Sequence, residues 1–574
     1  MPIFRSPTRF QAKPMLISEK ACQVRSLAAR LLPGPGLRAV YTVLAKIRTV
    51  LLLTAAFTPA IVTSAQDVPL FHFTEKPGPR SVGLKVVEQY DYSRIYRPAT
   101  DNLGKPIQGE RARPLQTLIW YPAEKSNARS MTVGDYANLA PTETSFGKPQ
   151  LAAFDKQWIA TMTPTLATPL WAVRDAPVTP DRFPVVIYAP GFSSWSWENA
   201  DLCEYLASHG YVVIASRSEG ETTRKMTQDV AGINAQARDI SFLIGYAQTL
   251  SDTDMSAIAV TGYSWGGISN LFAAARDSRI DALIALDGSM RYYPDLIKQA
   301  GDVHLEQMTI PLLFFTQGEI PLEEVLERLA STKTQDPSAL NAWLEGGVLN
   351  AWTHGDLITV HMQGFVHDEF CSMYQRNEDK WKHFPQEQKA DYGRENGIAG
   401  YAWLARYTLE FLDGYLKHDS AALAFLKRKP AENGVPVHFM AVDYHAAKGA
   451  PASLDAFRAE LGRQGFDRAA DIYAAMRKEA PDFKLDESAI NSWASDLMGD
   501  NHLPEAIELF KLNVTLYPES SNVYENLGDA YLESGQKELA IESYKKSLER
   551  NPTNNDTRGK LKDLQGSPPA AQRR

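Results

Sequence analysis

One short stretch constrains this chain more than any other: Gly262-Tyr263-Ser264-Trp265-Gly266-Gly267. The residues before it, Ala257 to Thr261, are small or β-branched and read as a strand. The residues after it, Ile268 to Ala275, contain no Pro and no further Gly and read as a helix. A strand, a small-x-Ser-x-small turn and a helix, in that order, form the setting of a nucleophile elbow. Such a turn holds its serine in a strained backbone conformation, and a Cβ at Gly262 or Gly266 would run into the neighbouring strand or helix. The pattern alone also fits a Gly-rich strand-to-helix connection with no chemistry, so its weight comes from its surroundings.

From Phe183 onward, short apolar runs alternate with helix-forming stretches. The runs are Pro184 to Ala189, Tyr211 to Ser216, Asp281 to Leu286, Pro311 to Thr316 and, last, Leu357 to Met362. Between them, Trp197 to His209 reads as an amphipathic helix closed by Gly210, and Val230 to Leu250 as a long helix. Runs apolar at nearly every position are parallel strands covered on both faces. The rhythm predicts a doubly wound, mostly parallel α/β sheet. Upstream, Ser81 to Val87 and Leu115 to Pro122 alternate and are expected as half-buried antiparallel strands at the sheet edge. Residues 124–182, polar and rich in Pro and Thr, read as an insertion.

Ligands of such sheets bind at the carboxyl ends of the strands, and the reactive side chains gather there. Acyl transfer needs a nucleophile, a base, a group that orients the base, and donors for the oxyanion. Ser264 is the candidate nucleophile. His367, in Gly364-Phe365-Val366-His367-Asp368-Glu369-Phe370 just beyond the last strand, is the candidate base, with His354 and His361 as competitors. Two carboxylates follow strand ends: Asp287, and Glu319 in Thr316-Gln317-Gly318-Glu319. Either can orient the base, and either can instead be a helix cap or a solvated loop carboxylate. The oxyanion donors are expected to be the backbone N–H of Trp265 and that of Phe192, in the turn Pro190-Gly191-Phe192-Ser193-Ser194, where Gly191 lets the backbone bend.

Residues Phe183 to Glu219, the Gly262–Gly267 elbow, Ile284-Ala285-Leu286-Asp287 and the Gly364–Phe370 stretch together resemble the platelet-activating-factor acetylhydrolase and dienelactone-hydrolase-like branch of the α/β-hydrolases. The resemblance runs over roughly residues 80–440 and includes Arg113-Pro114-Leu115 and Trp120-Tyr121-Pro122. It implies Asp287 as the acid and His367 as the base, in the order Ser, Asp, His. Two features depart from it. Pro190-Gly191 stands where the family usually has His-Gly, and an insertion at roughly residues 320–356 is expected as a lid.

Aromatic residues near the strand ends, Trp195, Trp197, Tyr292 and Tyr293, are candidates for the pocket wall and would favour an apolar acyl or alkyl group. The sequence contains no H-E-x-x-H, P-loop or dinucleotide fingerprint, so no metal and no cofactor is expected. Residues 1–65 carry nine Lys/Arg against Glu19 alone, which leaves a net charge of -16 on residues 66–574. An acidic body argues against nucleic acid as a partner. Thr49 to Gln66 is uncharged, follows Lys46 and Arg48, and ends in Thr63-Ser64-Ala65. It reads as a signal peptide cleaved near Ala65, which leaves no stable membrane span and a secreted or periplasmic product. Of three cysteines, Cys203 and Cys371 lie in the folded part; one bridge between them is open to the sequence, and two buried free thiols are the expectation.

Near the end the pattern changes. Tyr524, Leu527, Gly528, Tyr531, Ala540, Tyr544 and Pro552 occupy the characteristic positions of a tetratricopeptide unit. One period earlier, about 34 residues, stand Ile490, Trp493, Ala494, Leu497, Ala506, Phe510 and Pro518. A degenerate third copy spans roughly 450–483. The layout expected is a leader at 1–65, an α/β-hydrolase domain at 66–445, helical repeats at 446–565 and a disordered tail at 566–574. The chemistry expected is hydrolysis of a small ester or lipid-like ester through an acyl-enzyme, with a peptide or protein partner on the repeats. A partner-binding scaffold with a vestigial hydrolase domain, and a peptidase or amidase, fit the same residues.

Overall fold

The computed structural model describes residues 70–566 apart from 102, 144, 147–148, 318–346, 379–380, 382–391 and 438. The leader at 1–65, Glu319, most of the 320–356 insertion and all of the tail except Gly566 lie outside the described residues. The chain divides into two units, Met1–Lys448 and Gly449–Arg574.

The first unit is built on an eleven-stranded sheet: β1 (Ser81–Ile95), β2 (Ala112–Ala123), β3 (Ser130–Thr132), β4 (Pro169–Arg174), β5 (Phe183–Ala189), β6 (Val212–Ser216), β7 (Thr253–Tyr263), β8 (Ala282–Leu286), β9 (Leu312–Gln317), β10 (Leu357–Met362) and β11 (Met440–His445). The order across the sheet is β11-β10-β9-β8-β7-β5-β6-β2-β1-β4-β3. Strands β5 to β10 pair in parallel, as the apolar runs predict. Because side chains alternate across a strand, β5 feeds two cores at once: Val186 and Tyr188 on one face, Val185, Ile187 and Ala189 on the other. Helices Ala200–Ser208 and Arg394–Leu416 cover the first face, Val230–Ala247 and Trp265–Ala274 the second. The architecture is the doubly wound, mostly parallel α/β sheet expected of the sequence.

Three local expectations fail, two of them because polar groups are buried against distant partners. Strand β2 is not at the edge: all twelve of its residues are buried, it pairs with both β1 and β6, and β3 and β4 extend the sheet beyond it. Its polar Arg113 is held inside by Asp239 (2.6 Å) and the Gly220 carbonyl (2.6 Å). Helix Ala200–Ser208 has no solvent face, because Asp201 pairs with Arg376 (2.6 Å) and Glu204 accepts from Tyr136 Oη (2.6 Å). Strand β11, antiparallel to β10, lies beyond the last run read as a strand; Ala441, Asp443 and His445 on one of its faces are exposed, so it forms no continuous buried run.

The second unit is wholly helical. Leu454–Gln464 with Ala469–Glu479, Glu487–Gly499 with Leu503–Leu516, and Ser521–Glu533 with Lys537–Arg550 form three successive hairpins, and Asn555–Gly566 follows them. Small residues mark the close approaches: a Cβ on Gly528 would lie 2.6 Å from the Tyr544 ring, and Ala506 and Ala540 are fully buried.

Candidate active site

Strand β7 delivers Ser264 at the carboxyl edge of the sheet with φ 54° and ψ -117°, and helix Trp265–Ala274 starts at the next residue. A positive φ at a residue with a Cβ is strained and persists only where its neighbours hold it. Here they do. Ser264 N–H donates to the Leu286 carbonyl (3.1 Å), and Ser289 N–H donates to the Ser264 carbonyl (2.7 Å). A Cβ on Gly262 would sit 2.5 Å from the Gly266 carbonyl carbon, and one on Gly266 only 2.0 Å from the Ala189 oxygen.

The structure brings Ser264, His367 and Asp287 into one line of hydrogen bonds. His367 Nε2 lies 2.8 Å from Ser264 Oγ, and His367 Nδ1 lies 2.6 Å from Asp287 Oδ2. A carboxylate only accepts, so the proton sits on Nδ1 and leaves Nε2 free to accept from the hydroxyl. Asp287 is fully buried and itself adopts φ 45°. Its second oxygen accepts from Tyr292 Oη (2.9 Å) and, at 3.4 Å, from the Gln317 backbone. Tyr263, the residue before the serine, stacks on the His367 ring (5.0 Å between centroids) and donates its hydroxyl to the His367 carbonyl (3.1 Å). The competitor His361 faces Asp443 of β11 instead, at 3.4 Å.

On the other side of Ser264 stands the turn after β5. Trp265 is the first residue of its helix, so its N–H has no intrahelical partner. The Phe192 ring packs edge-on against the Trp265 ring (5.6 Å). The left-handed residue of the turn is Ser193 (φ 56°), not Gly191. Gly191 is needed for closeness: a Cβ there would press on the Tyr263 ring at 3.1 Å.

Beneath the turn lies Glu198, which belongs to no motif in the sequence. It is fully buried, and its Oε1 accepts from Gly191 N–H (2.8 Å) and Tyr188 Oη (2.8 Å). Its backbone carbonyl accepts from Met373 N–H (2.9 Å) and from the free thiol of Cys371 (3.1 Å), which ties the turn to the segment after His367. Burial pushes the Glu198 carboxyl up from 4.5 to about 7, against the opposing pull of its hydrogen bonds. Burial does the same to Glu204 and Glu219. Between the unfolded and folded values the folded state keeps a proton that the unfolded chain has lost, so stability falls as pH rises. Thermal melts of the wild type are expected to decline from pH 4.5 to about pH 7 and then level off. Glu198→Gln, which cannot ionise, should make that slope shallower while the share of Glu204 and Glu219 remains, and an unchanged slope would remove Glu198 from the account.

A cavity of about 610 Å³ opens beside the turn, lined by Phe192, Ser193, Ser194 and Trp195 from the turn, Met373 and Tyr374 from beyond His367, and residues from 152–158 and 217–225. Of the aromatic candidates, only Trp195 is in this wall. Trp197 lies behind it, stacked at 5.1 Å and 3% exposed. Tyr292 turns to Asp287, and Tyr293 packs on the Trp265 ring (5.5 Å). Among the described residues no group of three His, Cys, Asp or Glu is placed to hold a metal ion, and no helix is long and apolar enough to cross a membrane.

Residues 146–290 match the chlorophyllase family. The matched span holds the turn after β5, Ser264 and Asp287, and ends before His367. Residues 521–554, the last of the three helical hairpins, match the tetratricopeptide repeat. Among solved structures the chain is similar to a ferulic acid esterase from Streptomyces cinnamoneus, with 20% identity over 67% of this chain and 98% of that one and a TM-score of 0.41. No curated protein matches the chain.

Proposed function

We propose that this chain is an exported serine hydrolase of carboxylic esters, of the acetylhydrolase-like kind, acting on a short acyl or small lipid-like ester. The observation that carries the proposal is the hydrogen-bonded line from Asp287 through His367 to a serine on a strained elbow. The match of residues 146–290 to an esterase family supports it. In this reading Ser264 Oγ attacks the ester carbonyl and its proton passes to His367 Nε2. Asp287 stabilises the imidazolium so formed, held in turn by Tyr292. The N–H groups of Trp265 and Phe192 receive the oxyanion. The proton then leaves with the alcohol, and water activated by His367 Nε2 releases the acid from Ser264. The basic, uncharged-cored leader supports export, and the repeats offer a surface for a peptide or protein partner.

A fluorophosphonate probe on the purified protein, followed by a panel of aryl esters and peptide amides, tests the reading. Covalent labelling at Ser264, lost in Ser264→Ala, with esters turned over in preference to amides, is the expected result. An unreactive folded protein would favour the scaffold, and amide preference the peptidase.

A further inference from the structure

The cavity beside the turn has two unlike ends. Phe154, Trp158, Phe192, Trp195, Met373 and Tyr374 make an aromatic and apolar body, while the buried Arg217, the half-buried Arg224 and the exposed Lys225 also line it. Helix Ala153–Thr161 is turned the wrong way for a surface helix. It buries Asp155 and leaves Phe154 74% exposed at the cavity wall. The inversion is explained on the buried side by Arg224, which donates to Asp155 at 2.5 Å, with Arg217 3.8 Å away. Among the described residues little covers that ring, and a ligand seated in the cavity would.

Two of the three cations are already paired. Arg224 is held by Asp155, the acidic residue among those lining the cavity, and Arg217 has Glu219 at 3.7 Å. Arg217 is committed to Glu143 (2.9 Å) and to the Ser193 carbonyl (3.1 Å), and so holds the turn itself. Lys225 is exposed and is the cation left for a ligand. The cavity adjoins the elbow through two of its walls, since the Phe192 ring packs on Trp265 and the Tyr374 ring on Tyr263 (5.8 Å). We infer that the ester this cavity admits is an anionic one, with an aromatic or apolar body against Trp158 and Trp195 and a carboxylate or phosphate at its far end, held at Lys225. The inference rests on the function proposed above and names its substrate class. The cavity's volume suits one such molecule, since small-molecule sites run to roughly 300–1,000 Å³.

The test compares 4-nitrophenyl 3-phenylpropanoate with the same ester carrying a para-carboxylate on the phenyl ring. The wild type is expected to favour the carboxylate in kcat/KM by about tenfold, as one good charge contact allows, with the ratio shrinking in high salt. Lys225→Glu should reverse the preference and Lys225→Arg should keep it. Calorimetric binding of both esters to Ser264→Ala reads the same preference without turnover. A ratio near one in wild type, or a ratio that Lys225→Glu leaves alone, overturns the inference while ester cleavage leaves the hydrolase reading intact. Loss of all ester cleavage and probe labelling, with the binding preference still present, overturns the hydrolase reading instead.

Discussion

Ser264→Ala is expected to lower kcat on a reactive aryl ester by about 10⁶-fold, and His367→Ala by a similar factor. The informative result is the double variant. If the hydroxyl is a nucleophile only because Nε2 takes its proton across 2.8 Å, the second substitution has little left to remove. The double variant should then match the single ones within about tenfold, since groups that act as a unit are grossly non-additive. What survives is the contribution of the oxyanion donors and of binding, about 10³–10⁴ over water in comparable enzymes. Asp287 should matter less than either, because it acts through the imidazole. Steady-state kinetics on the four proteins decides the matter. A His367→Ala protein that keeps most of its activity would exclude His367 as the base. Strictly additive losses would mean that the two side chains do not work on one proton.

The parts of the fold that were legible in the sequence were those where local chemistry and burial agree. Strands β5, β6, β8 and β9 are apolar at nearly every position because helices cover both faces, so each declares itself as a run. Ser264 was legible because the elbow needs glycines at fixed spacing. Asp287 and His367 could be named from their places after β8 and β10, although nothing in their own neighbours says which way they point. What the sequence hides is polarity that is buried and matched across long separations. Arg113 with Asp239, Glu204 with Tyr136 and Asp201 with Arg376 are partners 126, 68 and 175 residues apart. Read one at a time they look like solvent-facing positions, and that is why β2 was expected at an edge and helix Ala200–Ser208 with a wet face. Glu198 belongs to the same class, and it is linked to the site through Gly191 and through the segment after His367. Tyr292 was read as a pocket aromatic because its ring is conspicuous in sequence. Its hydroxyl, which the structure places on Asp287, is not.

Gly266→Ala is expected to damage both stability and activity, whereas Gly245→Ala is expected to harm neither. Both glycines lie in helices, Gly266 in Trp265–Ala274 and Gly245 in Val230–Ala247, so helix propensity favours alanine at each. Surroundings reverse the sign at one of them. A methyl on Gly245 meets nothing within 4 Å, and the substitution should add up to about 1 kcal/mol. A methyl on Gly266 falls 2.0 Å from the Ala189 oxygen and 2.9 Å from that of Pro190. Both are backbone atoms of β5 and its turn, with no side chain able to swing aside. Either the helix backs away from the sheet or the turn carrying Phe192 shifts. Overpacking of this kind costs about 1–3 kcal/mol. A displacement of about 1 Å at the reacting atoms lowers turnover by about 10²-fold. Denaturant melts and kcat on the two variants measure the two effects separately. A Gly266→Ala protein as stable and as active as wild type would mean that the elbow has room that its geometry denies, and the strain assigned to Ser264 would then have no structural enforcer.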